Sequence, residues 1–524
     1  MTNIRAVFRK NLILYITLAV FVGIFIAAAQ GMEQKDFVIT LLRGFAVGAL
    51  TFLVASGFSL IFGLLDVLNL AHGTLYMIGA YIGWTVFVRP DTFVDLLGPL
   101  FLLLSGFLLA NTWVILTGRI QFSGRRMKIL AWVGIIITAL LLFYILPRYP
   151  ISAWDLTNYA QGLVTYSFMA SQGTPLPPPA VDFDEISRTA AVSGLLLASL
   201  LGTFSLSLFS RTRYTGASSL LGKKLNWRNF LGFGVLLTAA LVVIAFNDAL
   251  TTLLTGINGN WLFLLAVLIA VLSGAGLGSM METSLIRPLY NRPIYQLMLT
   301  LGLSAIGIEI VRSIWGRPEF TMPKPPLFDG SGPGCPATTF ADWWQYKCAT
   351  ILLFDGRVRT YNEIFIPLVG IIVLITVWLL LQRSRLGMVI RAGVQDREMV
   401  EALGINVRRI FTLVFALGVG LAALGGVLAA PSTGLSNTMG EAMLLNALIA
   451  LAIGGLTSFP GAALGSLLVG LMQQFIIKYG AIGIPIPFTD IIFKPTPPLV
   501  PASTVLLMVI VLLILPNGLL GKKE

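Results

Sequence analysis

Charge is what this chain lacks. Lys, Arg, Asp and Glu make up 11% of its 524 residues, where soluble globular domains carry roughly 25%. A soluble fold of this length could not cover its surface with so few solvated groups. A chain solvated by lipid has no such need. Histidine is nearly absent, His72 being the single one. That leaves no Ser–His or Cys–His pairing away from that position, and with two cysteines in the chain no ligand set for a metal is expected. The phosphate-binding loop pattern is missing too. Its nearest approach, Gly216 to Lys224, has one residue too many between its glycines and Lys224 where Ser or Thr is required. Gly418-Val419-Gly420 through Ala423 fits a loose dinucleotide pattern but lies inside an apolar run, where it reads as helix packing.

What the chain has is apolar length. Apolar residues reach 56%, and runs long enough to span about 30 Å of hydrocarbon recur about fourteen times. They cover 11–29, 37–62, 66–88, 96–117, 129–146, 190–209, 229–247, 260–281, 296–316, 364–382, 409–431, 442–457, 460–478 and 500–516. The 442–457 run is short, and Phe459-Pro460-Gly461 separates it from the next, so one or both are expected to be broken. The 53 glycines suit close helix approach in lipid. Four pairs stand four residues apart: Gly44 and Gly48, Gly79 and Gly83, Gly274 and Gly278, Gly461 and Gly465.

The net charge is +12. In a soluble protein that would point to nucleic acid. Here the basic residues fall in loops on one side, as cytoplasmic loops of membrane proteins do, and no nucleic acid is expected. Those loops hold Arg5, Arg9 and Lys10; Arg119, Arg125, Arg126 and Lys128; and Arg211, Arg213, Lys223, Lys224 and Arg228. The later ones hold Arg287 and Arg292; Arg383, Arg385, Arg391, Arg397 and Arg408; and Lys522 and Lys523. On the other side, the 147–189 loop sets Asp155, Asp182, Asp184 and Glu185 against Arg148 and Arg188, and the 248–259 loop has Asp248 and no base. Both termini are therefore expected in the cytoplasm. The first run, with Ala27-Ala28-Ala29 at its end, resembles a secretory signal. We read it as a retained helix; cleavage would leave the later topology unchanged.

Cys335 and Cys348 both lie in the Pro- and Gly-rich 317–363 loop, which the parity of spans puts outside. A single Cys pair in an extracytoplasmic loop suggests a disulfide, worth about 3 kcal/mol locally; two free thiols are the alternative. Asn69, His72 and Gly73 form a polar cluster where a span begins, a candidate for the solute path. The competing reading of His72 is a hydrogen-bonded packing residue. Glu309 and Arg312 stand three apart on one helix face and can pair.

The most informative stretch runs from Ser384 to Asn406. Asp396 suits an N-cap and Gly404 a C′ position, leaving about two helical turns between them, with Met399, Val400 and Leu403 on one face. A helix so short is marginal alone and needs a partner surface. Ser384, Gly387, Arg391, Ala392, Asp396, Gly404, Ile405 and Asn406 resemble the coupling loop of the branched-chain amino acid permease family of ABC importers. Val400 departs from a small residue common there. Four other stretches resemble family motifs and occur in family order: Asn69 to Gly73 with Tyr76 to Tyr81; Glu282 with Arg287-Pro288-Leu289; Ala452 to Leu456 with Phe459 to Ala462 and Gly465; and Pro516 to Gly521.

The resemblance implies an all-α, polytopic helix bundle whose short cytoplasmic helix seats in a groove of a partner ATPase. Arg391, Asp396, Met399, Val400, Leu403 and Gly404 would make that contact. The glycine-interrupted segment around Gly454, Gly455 and Pro460 would join Asn69, His72 and Gly73 on the path. The implied partners are cytoplasmic ATPase subunits that use ATP and Mg²⁺, a second permease subunit and an extracytoplasmic solute-binding protein, with no cofactor on this chain. The place is the bacterial inner membrane, and the solute a branched-chain or related amino acid. Urea and short amides are carried by similar permeases. Residues 37–95 and 248–524, including the 383–408 loop, match the family's core. Residues 1–36 add a span and 96–247 insert four, an even number that preserves the later orientation. A stand-alone secondary transporter or channel is the main rival; it calls for a buried coupling charge and no capped cytoplasmic helix. A membrane-embedded enzyme calls for clustered His, Asp or Glu, which the chain does not offer.

Overall fold

The computed structural model describes residues 30–118, 124–149, 186–213, 227–290, 292–316, 319–395, 397–485 and 492–521, and positions 23 and 26. The run at 11–29 thus lies outside the described residues except at those two positions. Each later apolar run coincides with described helix. In chain order the helices are α1 (Gln34–Leu65), α2 (His72–Val88), α3 (Pro90–Leu108), α4 (Ala110–Gly118), α5 (Gly124–Ile145), α6 (Arg188–Arg213), α7 (Trp227–Ala245), α8 (Asn247–Gly256), α9 (Gly259–Met281) and α10 (Pro293–Trp315). There follow α11 (Phe340–Tyr346), α12 (Ile366–Arg383), α13 (Arg385–Gln395), α14 (Arg397–Ala402), α15 (Val407–Thr433), α16 (Met439–Gly454), α17 (Phe459–Ile482) and α18 (Leu499–Ile514). Ten described helical stretches are long and apolar enough to cross a membrane, and α16 and α18 are shorter apolar helices. The chain is an all-α, polytopic helical protein.

The described residues fall into two compact units. The first holds those up to Phe87 and from Gly259 onward. Its axis is α1, which ends where Asp66 turns left-handed (φ 53°) and returns its N–H to Phe62. Against α1 run α17 (Gly44 on Leu471, Gly48 on Leu467) and α15 (Gly57 on Gly418), both antiparallel to it. Antiparallel to α15 runs α9, with Gly274 on Ala423 and Gly278 on Val419. Lipid supplies no hydrophobic force between helices, so these seams rest on close approach of small residues. Parallel to α2 runs α10, tied to it by Thr74 Oγ1 to Ser304 Oγ (2.6 Å) and Trp315 Nε1 to Thr85 Oγ1 (3.0 Å).

This unit has two distinct ends. Leu65, Tyr290, Val400 and Phe411 pack together at one, the end at which Ser59 donates to the Leu456 carbonyl. At the other, Trp84 donates to the Thr321 carbonyl, Phe320 pairs with Leu435, and Arg43 binds Glu363. There a hairpin of β1 (Thr350–Leu353) and β2 (Gly356–Arg359) packs with the Cys335–Cys348 disulfide on Ile39 and Leu42 of α1.

The second unit runs from Val88 to Asn258. In it α6 packs on α5 and α3. Ser199 Oγ donates to the Leu103 carbonyl (2.6 Å) and accepts from the Gly106 N–H (3.2 Å). The outer face of α5, with Ile129, Trp132, Ile136, Leu140 and Phe143, is exposed and apolar, a surface suited to lipid.

Candidate functional site

The 384–406 segment leaves α12 through a tight elbow. Ser384 Oγ accepts from the Gly387 N–H at 3.0 Å and so caps α13. Gly387 lies so close to the carbonyls of Leu380 and Leu381 that a Cβ would collide with both. Arg391 reaches back across the turn, and its guanidinium donates to the Leu381 carbonyl. Carbonyls that end a helix lack intrahelical donors, and Arg391 supplies one. Its placement is that of a brace between α12 and α13.

Next comes α14, and its end is a complete Schellman turn. Gly404 is left-handed (φ 80°); its N–H binds the Glu401 carbonyl at 3.0 Å, and the Ile405 N–H binds that of Val400 at 3.3 Å. Asn406 then caps α15, its side chain accepting from the Arg409 N–H at 3.2 Å. Asp396 lies outside the described residues. One expectation is corrected. Met399, Val400 and Leu403 do not share a face toward a partner: Val400 is 4% exposed and packs with Val407 and Phe411, while Met399 is 61% and Leu403 73% exposed. The Schellman turn draws Val400 and Ile405 together, and that contact turns Val400 inward.

Beside this segment lies a network visible in the sequence only as the Glu282 and Arg287-Pro288-Leu289 motif. Glu282, with no exposed surface, opens a π-helical turn (Glu282–Ile286) at the end of α9. Its carboxylate accepts from Arg287 Nε (3.1 Å) and Nη2 (2.8 Å), Tyr290 OH (2.5 Å) and Thr412 Oγ1 (2.7 Å). Tyr290 in turn stands edge-on to Phe411, centroids 5.9 Å apart.

The candidate path residues fall in two places. Asn69 and His72 meet at the break between α1 and α2. The Asn69 side chain accepts from the Ala71 N–H at 3.1 Å, and His72 Nε2 lies 3.1 Å from the Val54 carbonyl. A carbonyl only accepts, so Nε2 carries the proton. Asn69 Nδ2 and His72 Nδ1 have no hydrogen-bond partner among the described residues. Gly73 packs on Gly440, at the start of α16. Gly454 and Gly455 are elsewhere, at the end of α16, and Pro460 starts α17. Open backbone carbonyls at such a break would suit a solute path. Instead the C-terminal turn occupies them: Leu519 N–H binds the Ile453 carbonyl (2.8 Å) and Leu520 N–H that of Gly454 (2.9 Å). Two polar residues went unremarked in the sequence. Gln473 Nε2 donates to Asn446 Oδ1 at 3.1 Å, joining α17 to α16. Asn446 in one apolar run and the Gln473-Gln474 pair in the next were the available signal.

At the opposite end, Cys335 and Cys348 are joined, Cα atoms 5.5 Å apart. Thr339 and Asp342 form a reciprocal capping box on α11, and hydrogen bonds from Thr339 and Thr338 hold the Asp342 carboxyl below its ordinary value. Burial, with Arg359 nearby, lowers the Lys324 amine, and burial raises Asp329. Glu309 and Arg312 are paired at 2.6 Å. No group of three or more His, Cys, Asp or Glu side chains fit to hold a metal occurs among the described residues.

Comparison with known proteins yields a family model and several similar permeases. Residues 190–516 match the family model of the branched-chain amino acid transport system permease component. The high-affinity branched-chain amino acid transport system permease protein LivH of Salmonella typhimurium is 25% identical over 284 residues, 54% of this chain and 82% of LivH. LivH of Escherichia coli (strain K12) shows the same identity and coverage. The corresponding permease protein BraD of Pseudomonas aeruginosa is 34% identical over 171 residues, 32% of this chain and 51% of BraD. No solved structure matches the chain.

Proposed function

The chain belongs to the branched-chain amino acid transport system permease family, and from that premise we propose that it is the membrane-spanning subunit of an ATP-driven importer of branched-chain or related amino acids. It works without an ATPase site of its own. Two cytoplasmic ATPase subunits bind ATP and Mg²⁺, a second permease subunit completes the path, and a soluble binding protein delivers solute from outside. The location is the bacterial inner membrane, with the termini and the 385–406 segment in the cytoplasm.

One observation carries this reading. The short helix α14, capped at Gly404 and preceded by α13, which Arg391 braces onto α12, presents Met399 and Leu403 outward, at the end of its unit opposite the disulfide. Disulfides belong to oxidising compartments, which favours the cytoplasm for α14. Exposed apolar side chains on a braced helix end suit a protein partner. Pressure on α14 would reach α15 through Val400, Val407 and Phe411, and α9 through the Gly274–Ala423 seam. On the path, Asn69 and His72 offer a donor and an acceptor that lack partners.

The test is reconstitution with candidate ATPase subunits in proteoliposomes. Leucine, isoleucine or valine uptake should require ATP on the side that carries α14, and Leu403→Asp should abolish ATPase binding. Uptake that persists without ATP or ATPase subunits would support the stand-alone transporter instead.

A further inference from the structure

Glu282 holds three elements with one charge. A carboxylate offers about four acceptor sites, and here four donor contacts fill them. Arg287 comes from the turn after α9, Tyr290 from the lead-in to α10, and Thr412 from α15. Arg287 Nη2 also donates to Thr412 Oγ1 at 2.7 Å, which closes the ring. Buried ion pairs add little net stability compared with apolar packing of the same volume. What such a network does well is enforce one arrangement, since parting its members strands a buried charge.

We propose that Glu282 is the positioning residue that makes the end of α9, the lead-in to α10 and α15 move as one body when an ATPase displaces α14. The inference deepens the coupling reading above and rests on it. Its geometry is continuous. Val400 of α14 packs on Phe411 and Tyr290; Tyr290 donates to Glu282; Glu282 directly follows the helix whose Gly274 and Gly278 seat on Ala423 and Val419 of α15. Only packed side chains and filled hydrogen bonds lie between the exposed face of α14 and that seam. Without the carboxylate, α15 could shift while α9 stayed behind.

The experiment compares solute uptake and ATP hydrolysis by the complete complex in proteoliposomes. Glu282→Gln keeps the shape and removes the charge. Uptake per ATP hydrolysed should fall about tenfold, with hydrolysis itself held within about twofold. Tyr290→Phe and Thr412→Val each delete one donor and should lower the same ratio by less, and Thr412→Ser should restore it. Should Glu282→Gln fail to assemble, those donor variants decide the matter. Uptake and hydrolysis falling by one common factor, or neither falling, overturns the proposal. Leu403→Asp separates the two readings. If it leaves hydrolysis and uptake intact, the coupling reading fails whatever the Glu282 variants do.

Discussion

The backbone N–H of Leu520 donates to the carbonyl oxygen of Gly454 at 2.9 Å. Two stretches more than sixty residues apart thus form one piece of structure. The end of α16 leaves carbonyls without intrahelical donors, and a buried carbonyl without a donor is costly where water is scarce. Leu519 and Leu520 supply two donors, and the left-handed turns at Gly455 (φ 110°) and Gly518 (φ 76°) let the backbones meet.

Replacing Gly518 by Ala should therefore destabilise the protein. Its φ is unfavourable for a side chain, and a Cβ would stand 2.6 Å from the Gly455 nitrogen. The strain is worth about 1–3 kcal/mol. Thermal unfolding in detergent reads it, and truncation after Leu515 should lower the midpoint further. An unchanged midpoint in both would mean that the turn holds nothing in place.

Val400 and Leu403 should behave oppositely although Val400 lies on α14 and Leu403 just past its end. Val400→Ala opens a cavity in the Phe411 cluster and should cost about 1–3 kcal/mol. Leu403→Ala, at an exposed position, should stay within about 0.5 kcal/mol yet weaken ATPase binding. Urea unfolding and a pull-down with the ATPase separate the effects. Equal destabilisation would contradict the burial of one and the exposure of the other.

The contrast shows what the sequence could carry. Helix positions were legible because each span is a long apolar run, and Gly404 because a C′ glycine has a conformational reason. The facing of Val400 was not legible. Helical spacing puts it near Met399 and Leu403, and only the Ile405 contact and the Phe411 cluster decide which way it turns. Glu282 was visible as a motif but not as a hub, because Thr412 lies 130 residues away. Gly454 and Gly455 looked like an open helix end until the C-terminal turn was seen to close it.

Orientation can be read from one thiol. The chain has two cysteines, so Cys348→Ser leaves Cys335 alone. A membrane-impermeant maleimide should label it in intact spheroplasts. Labelling that waits for lysis would place the disulfide end in the cytoplasm and α14 outside. The same variant should lose about 3 kcal/mol of local stability, seen as faster proteolysis between 319 and 365.

The capping box on α11 should respond to acid. Hydroxyl hydrogen bonds depress the Asp342 carboxyl in the folded state. The stabilisation is therefore complete above the unfolded carboxylate value, roughly 4, and is lost as pH falls through the lower folded one. Trp343 and Trp344 sit on the helix, so their fluorescence should change in that acid range. Asp342→Asn should abolish the change; a transition that survives it belongs to another group.

The described residues between 88 and 258 form a compact unit whose flanks lie side by side. Phe87 and Phe263, just outside it, meet edge to face with centroids 5.5 Å apart, so a short Gly-Ser bridge from Phe87 to Gly259 need not pull the other unit open. If 96–247 are an insertion into a permease core, the bridged chain should insert, unfold cooperatively and keep the Cys335–Cys348 bond and ATPase binding. The family match begins at residue 190, within this unit, which makes α6 and α7 the elements at issue. Apolar seams join α1, α9, α15 and α17 without them, and that packing is the reason to expect the shortened chain to fold. A shortened chain that aggregates, rescued only when 188–245 are restored, would assign α6 and α7 to the core.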